Sequence, residues 1–358
     1  MKCLKVYDGT TRPIGINKLI KNDRILRGGI IGLGAIGSQQ DEERKTDGVY
    51  SHAGAYRAVD GFELVSACEP NAERAGAFRR FWGVDTVYDD LDGFLANEEL
   101  NVVSVCAPDV MHFKIIKHIL DDPGQIRAVI TEKPLGMTAN ECRDLEKLAS
   151  GSGVLIEVNN HRRAEPSHCE VRRLLSDKLM GAVQAISAYY VKGLFHNGCT
   201  MVDTLRMMLG EVTRVKALPP FEVGSYGMDH SVDFLLGFQD GSKAIVQSCD
   251  KDAYHYSIFE IDMLFSGGRL TFHDNGFRIE HQPVEDYPHY PGFRSLGEPA
   301  QVQGDMARAI TYIYRRVLDD LLADRTGFGE FAREAVKDMV IVEAIRESAL
   351  QDGKEIEL

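Results

Sequence analysis

The sequence has 358 residues, with 41 lysines and arginines against 54 aspartates and glutamates, for a formal charge of −13. That length suits about two domains, and 44% hydrophobic with 27% charged residues excludes global disorder. The acidic balance argues against nucleic acid as the main partner, and no apolar run approaches the ~18 residues of a membrane helix.

The opening MKCLKVYDGTTRP lacks the apolar stretch of a secretory leader, and residues 1–26 read as an extension without clear period. Seven cysteines are scattered, odd in number and never spaced CxxC, which fits neither a disulfide framework nor a zinc site. A reducing cytoplasm is the expected setting.

From Arg27 to Asn160, short apolar runs alternate with helical periods. The runs are Gly29-Ile30-Ile31, Phe62 to Cys68, Val102 to Cys106, Ala128 to Ile130 and Val154 to Val158. Near-continuous apolar strands imply burial on both faces, as in a parallel sheet covered by helices. Helices are predicted over Asn71 to Trp82, Val110 to Leu120 and Ala139 to Ala149, the last opened by the capping box Thr138-Ala139-Asn140-Glu141. The order implies a doubly wound α/β domain over 27–160.

After Asn160 the rhythm changes. A helix from Cys169 to Leu179 precedes longer strands at Ala182 to Val191, Arg214 to Leu218, Ser231 to Phe238, Ser242 to Ser248 and Phe259 to Phe265. Asp240-Gly241 and Gly267-Gly268 punctuate them as turns. Residues 161–358 therefore read as an α+β domain with a mostly antiparallel sheet. Two closing helices, Gly304 to Ala323 and Gly329 to Leu350, could return to either domain.

Gly32-Leu33-Gly34-Ala35-Ile36-Gly37 follows the first strand where it should turn into a helix, the context that gives GxGxxG its meaning. Gly32 permits the tight turn, Gly34 lets a pyrophosphate approach the backbone, and Gly37 lets helix and strand pack closely. Glu69 ends the second strand, where a carboxylate accepts from ribose hydroxyls and repels a 2′-phosphate, so NAD is expected over NADP. Glu69 lies 32 residues after Gly37, against a usual spacing of about 20. The excess is Gln39 to Val49, charged and nearly free of apolar residues, which reads as a solvated loop or as a lid over the dinucleotide.

Two more motifs end buried strands, Cys106-Ala107-Pro108-Asp109 and Thr131-Glu132-Lys133-Pro134. Ligands of open parallel sheets bind beyond such ends. Ala107, Pro108, Glu132, Lys133 and Pro134 are thus candidate cofactor residues, together with Gly32, Gly34, Ala35, Ile36, Gly37 and Glu69. Lys133 is also the candidate catalyst, since an ammonium beside a reacting carbinol can donate to its oxygen. A surface lysine at a strand exit is the alternative.

These residues resemble the glucose–fructose oxidoreductase, inositol dehydrogenase and MocA family. The resemblance rests on the glycine fingerprint, on Glu132-Lys133-Pro134-Leu135 opening a capped helix, and on Asp203-Thr204-Leu205-Arg206 before Leu209-Gly210-Glu211. It implies an N-terminal Rossmann domain, a C-terminal open-faced sheet for substrate binding and oligomerisation as a homodimer or homotetramer, and NAD(P)-dependent chemistry at a sugar or cyclitol carbon. It also implies a catalytic role for Lys133, a cis bond to Pro134 and a place for His112 near the nicotinamide.

One stretch departs from the family pattern. Relatives commonly carry an aspartate and then a histidine four residues apart, the histidine three before the aspartate matching Asp203; here those positions hold His196 and Thr200. Threonine is no acid or base at neutral pH. His196, Thr200 and Asp203 nevertheless share a helical stripe, so proton transfer through His196 with Lys133 and a substrate hydrogen bond from Thr200 are expected. A helix-capping role for His196 is the alternative. Arg163, Lys192 and Asn197 complete the candidate substrate-binding set with Asp203, Arg163 being equally explicable as a salt bridge. No histidine spacing supports a metal. Hydride transfer on a small polyhydroxylated substrate is the leading function. Redox-neutral elimination or epimerisation with retained NAD, and a dinucleotide sensor without turnover, are the alternatives.

Overall fold

The computed structural model describes residues 25–96, 99–222, 224–252 and 258–358. Most of the extension assigned to 1–26 lies outside them; Leu26 already belongs to the first strand. The chain divides into two compact units, one of the described residues up to Ala164 with Ala307–Val336, the other of Glu165–Met306 with Lys337–Leu358.

The first unit is built on β1 (Leu26–Ile31), β2 (Phe62–Cys68), β3 (Val87–Tyr88), β4 (Val102–Val105), β5 (Ala128–Thr131) and β6 (Leu155–Val158). The short strand Gly327–Phe328 joins β6, and the order runs Gly327–Phe328, β6, β5, β4, β1, β2, β3, every pairing parallel. Reversal of direction after β1 is the doubly wound topology, which leaves a crevice at the carboxyl ends of the central strands. β4, β5 and β6 are buried along their whole length, as their unbroken apolar runs require.

Helix Ala72–Trp82 is capped by the Asn71 side chain on the Arg74 N–H and stops at Gly83, whose φ of 66° closes it in the left-handed region. Helix Ala139–Ser152 is capped by Thr138 on the Glu141 N–H, but the Glu141 carboxylate accepts from Met137 N–H instead of returning to Thr138. Of the closing helices, Ala309–Leu322 lies wholly in the first unit. Its residues Ile310, Ile313, Tyr314, Val317, Leu318 and Leu321 form one apolar stripe in the core around Tyr56 and Phe62.

The segment after the fingerprint keeps the expected solvated loop over Glu43 to Asp47, which are exposed, but its start is structured. A wide turn, Ala35–Gln39, is followed by the helical turn Gln40–Glu42, and Asp41 is only 4% exposed. Its carboxylate accepts from Tyr50 N–H, Ser51 N–H and the Ser51 hydroxyl, fastening the far end of the insertion where helix His52–Ala58 begins. Asp41→Ala would leave these buried donors unmet, and we expect a loss of about 1–3 kcal/mol in denaturant unfolding.

The second unit carries a ten-stranded sheet among the described residues, antiparallel except where Val183–Tyr190 pairs with Lys243–Ser248. It includes Gly268–His273 and Arg278–Asp286, strands that follow the Gly267-Gly268 turn. Its first helix runs Pro166–Ser176, earlier than the expected Cys169 start, because Glu165 caps the His168 N–H and Pro166 takes the first turn. The expected strand Ser231 to Phe238 is two pieces, Asp229–Ser231 and Asp233–Phe238. The six described cysteines are free, and no described helix is long and apolar enough to cross a membrane.

Candidate functional site

The carboxyl ends of five strands stand in one row. Register pairs Ile31 with Cys68 and with Val105, Val105 with Thr131, and Thr131 with Val158. The next residues, Glu69, Gly32, Cys106, Glu132 and Asn159, therefore leave the sheet side by side. Backbone bonds continue the row, from Gly32 N–H to Cys68 O, Cys106 N–H to Ile31 O and Glu132 N–H to Val105 O.

At Gly32, φ is +89°, and a Cβ would meet Cys106 O at 2.7 Å and Ala107 N at 2.8 Å. A Cβ on Gly37 would meet Gly32 O at 2.2 Å. A Cβ on Gly34 would meet nothing within 4 Å. Two glycines thus make close packing possible, while the exposed middle one leaves backbone open to an approaching group. This cradle fits a dinucleotide pyrophosphate at a turn that opens a helix. Ala35 and Pro108 are exposed beside it, and Ile36 and Ala107 are half-buried.

Glu69 is half-buried, and its carboxylate accepts from Leu33 N–H at 3.0 Å and from Asn71 N–H at 2.9 Å. It is thereby fixed against the glycine turn, with lone pairs left for hydroxyl donors.

Glu132, Lys133 and Pro134 follow β5, and the Lys133–Pro134 peptide is cis. Glu132 is buried; its Oε1 lies 3.1 Å from His52 Nε2 and accepts from the Asn159 amide. Burial alone would raise its pKa, but the hydrogen bond and charge of His52, the Lys133 charge and the Asn159 amide bring it down to about 2. His52 Nδ1 lies 2.9 Å from the Tyr314 hydroxyl, which is itself 2.8 Å from Ser104 Oγ. A buried polar chain thus anchors the residue before Lys133, whose own side chain is half-buried. His52, Asn159 and Tyr314 escaped sequence reasoning, and no local signal could have joined His52 to a tyrosine 262 positions away.

His112 requires a correction. It has no exposed surface, and its ring nitrogens lie 2.7 Å from Pro134 O and 2.8 Å from Ala107 O. A side chain so enclosed serves the site by tying two loops together, not by touching a nicotinamide. Arg163 is likewise buried, at 8% exposure, and pairs with Glu334 at 3.5 Å, which favours its salt-bridge reading over substrate contact.

In the second unit, Lys192, His196, Asn197, Thr200 and Asp203 lie on one continuous stretch, a wide helical segment Gly193–Gly198 followed by helix Cys199–Leu209. Lys192 enters it in the left-handed region (φ 65°), a strained conformation for a lysine. Lys192 also lines a cavity of about 390 Å³ with Ser231, Cys249 and Lys251. His196 and Thr200 are half-buried; Asn197 and Asp203 are buried. Asp229, which no motif indicated, accepts from Phe195 N–H at 3.1 Å and His196 N–H at 2.8 Å and so fixes the His196 backbone. The same chain stretch ends in an ion-pair network, Arg206 with Asp338 (2.6 Å) and Glu211 (2.9 Å), and Lys337 with Glu211 (2.8 Å). The described residues hold no cluster of metal-ligating side chains.

A parallel sheet in this order, with a glycine turn and a strand-end carboxylate, Glu69, at its rim, has the doubly wound form of a dinucleotide-binding fold. Residues 26–160 match the model of the Gfo/Idh/MocA oxidoreductases, described as an oxidoreductase family with an NAD-binding Rossmann fold. D-apiose dehydrogenase of Paraburkholderia graminis is 25% identical over 55% of this chain and 56% of its own length. D-glucoside 3-dehydrogenase of Escherichia coli is 24% identical over 63% of this chain and 64% of its own. Inositol 2-dehydrogenase of Rhizobium meliloti is 24% identical over 64% and 71%. The matches thus span less than two thirds of the first two relatives. Levoglucosan dehydrogenase in complex with NADH and L-sorbose shares the fold, with a TM-score of 0.73, 16% identity and coverage of 93% of this chain and 98% of that one.

Proposed function

We propose that the chain is an NAD-dependent dehydrogenase that moves a hydride between the coenzyme and a carbinol carbon of a sugar, sugar derivative or cyclitol. The observation that carries this reading is the row of strand ends that sets the open glycine turn, Glu69 and Glu132-Lys133-Pro134 along one rim of the sheet. The names of the relatives, dehydrogenases of apiose, glucosides and inositol, support the substrate class.

When bound, a nicotinamide dinucleotide supplies the hydride acceptor or donor; the protein supplies orientation and proton handling. The backbone of Gly32, Gly34, Ala35 and Ile36 takes the pyrophosphate, and Glu69 accepts from the ribose hydroxyls. Ala107 and Pro108 border the crevice. Lys133 hydrogen-bonds the substrate oxygen; as the free amine it accepts that oxygen's proton in oxidation, and as the ammonium it returns the proton in reduction. Glu132 keeps that ammonium in place by its charge. In the second unit, His196 is a further proton carrier, and the half-buried Lys192 and Thr200 orient substrate hydroxyls, with the buried Asn197 and Asp203 supporting that stretch from within. The open sheet of that unit is the surface for self-assembly into a dimer or tetramer.

Incubation with NAD⁺ and a panel of aldoses, glycosides and cyclitols, followed by the absorbance of reduced nicotinamide, tests the reading. Net reduction supports it, and tight NAD⁺ binding without turnover on any member contradicts it. His196→Ala is expected to lower kcat by about 10²-fold. Full turnover in that variant would assign proton handling to Lys133 without His196. Thr200, standing where relatives carry a histidine, favours one second reading, redox-neutral elimination or epimerisation with NAD retained. Solvent deuterium entering product without net NADH would identify it.

A further inference from the structure

The insertion between the glycine turn and helix His52–Ala58 places a carboxylate on a guanidinium at the coenzyme rim. Arg74 lies in the first turn of helix Ala72–Trp82, just beyond Glu69. Its Nε donates to Leu33 O, and one Nη donates to the Ser38 hydroxyl. Leu33 is the residue whose N–H binds Glu69 at 3.0 Å. One residue of the glycine turn, Leu33, therefore binds the acidic residue through its N–H and the basic residue through its carbonyl.

The 2′-phosphate is the chemical difference between the two pyridine dinucleotides, and an arginine near the ribose-side carboxylate is the group that accommodates it. The planar guanidinium fork matches phosphate in two-pronged geometry. Taken without the insertion, this rim holds both a residue that favours NAD and one that favours NADP.

Glu42, the last residue of the helical turn Gln40–Glu42, resolves the conflict. Both of its carboxylate oxygens accept from the Arg74 Nη groups, and Oε1 also accepts from Trp82 Nε1 at 2.8 Å. The Arg74 and Glu42 side chains are 13% and 10% exposed, so solvent and salt screen the pair weakly. Burial opposes ionisation of Glu42, but the bonds from Arg74 and Trp82 outweigh it and hold the carboxyl below its ordinary pKa. The guanidinium is thus charge-neutralised and geometrically occupied on the side facing the insertion.

We propose that Glu42 is a coenzyme-specificity residue: by occupying Arg74 it removes the rim's attraction for a 2′-phosphate and leaves the choice of NAD to Glu69. This rests on the dinucleotide reading above. The charged insertion, on this account, is neither a lid nor a passive loop but a carboxylate delivered to one arginine.

Calorimetric titration of NAD⁺ and NADP⁺ into the wild-type chain, Glu42→Gln and Glu42→Gln/Arg74→Gln tests it. The ratio of NADP⁺ to NAD⁺ affinity should rise about tenfold or more in Glu42→Gln, the scale of one charge-assisted phosphate contact, and fall back in the double variant. Glu42→Ala repeats the comparison with no amide oxygen to remake the contact. Trp82 is the chain's single tryptophan, so its emission reports whether helix Ala72–Trp82 stays packed in each variant. An unchanged ratio in both Glu42 variants, or a rise that persists when Arg74 is removed as well, overturns the proposal while leaving NAD⁺ binding intact. Absence of binding of either nucleotide to the wild type would instead overturn the dinucleotide reading on which it stands.

Discussion

Replacing Lys133 by methionine should lower kcat by about 10³-fold, far more than it lowers affinity for the dinucleotide. Methionine keeps the length and apolar stem of the side chain while removing the proton-carrying amine. The position is not a free surface site. It follows the fully buried β5, is flanked by buried Glu132 and Pro134, and is braced from below by the His52–Tyr314–Ser104 chain. Such bracing holds a reacting group in register with its substrate, where small displacements are costly. kcat at saturating coenzyme and substrate, followed across pH, checks it. Wild-type turnover with an unaltered pH profile in Lys133→Met would remove this residue from the chemistry.

The second large effect concerns Glu132 and stability. Glu132→Ala would leave His52 and the Asn159 amide without their buried acceptor, and breaking such a buried pair costs about 3–5 kcal/mol in denaturant unfolding. The carboxyl has a folded-state pKa of about 2, depressed from an ordinary 4.5. Its contribution is therefore complete above pH 4.5 and is lost as pH falls toward 2. Glu165 in the second unit behaves alike: burial would raise its pKa, but His168, Ser167 and the Asp305 N–H bring it to about 2. Wild-type stability should accordingly drop over this acid window. In Glu132→Ala the drop should be smaller, since one of the groups titrating in this window is gone. An equal acid dependence in wild type and variant would contradict the assignment.

How much of this was legible in the sequence depended on the range of the interactions involved. The strands of the first unit were readable because burial on both faces leaves an unbroken apolar run, as in Val102–Val105 and Ala128–Thr131. The glycine turn was readable because its constraints are local, at Gly32, Gly34 and Gly37. The start of the insertion was not, because Asp41 and Glu42 read as solvated until their partners are known, whereas Glu43 to Asp47 are exposed as expected. Glu42 meets Arg74 32 positions on, and Asp41 meets Ser51 10 positions on. Helix Ala309–Leu322 showed its apolar stripe in sequence, but only the Tyr314 contacts with His52, Tyr56 and Phe62 reveal which unit that stripe completes. His112 was misjudged for a related reason. A histidine opening a helix beside a strand-end loop looks available to a ligand, and only the carbonyls of Ala107 and Pro134 on its two nitrogens show that it is enclosed.

The central claim is that the backbone at Gly34 receives a dinucleotide pyrophosphate. Gly34 has φ −69°, which any residue tolerates, and open space where a side chain would project. Gly34→Val should therefore fold with the wild-type melting temperature yet lose NAD⁺ binding in calorimetric titration, because the new side chain fills the phosphate approach. Wild-type NAD⁺ affinity in a folded Gly34→Val chain would contradict the account.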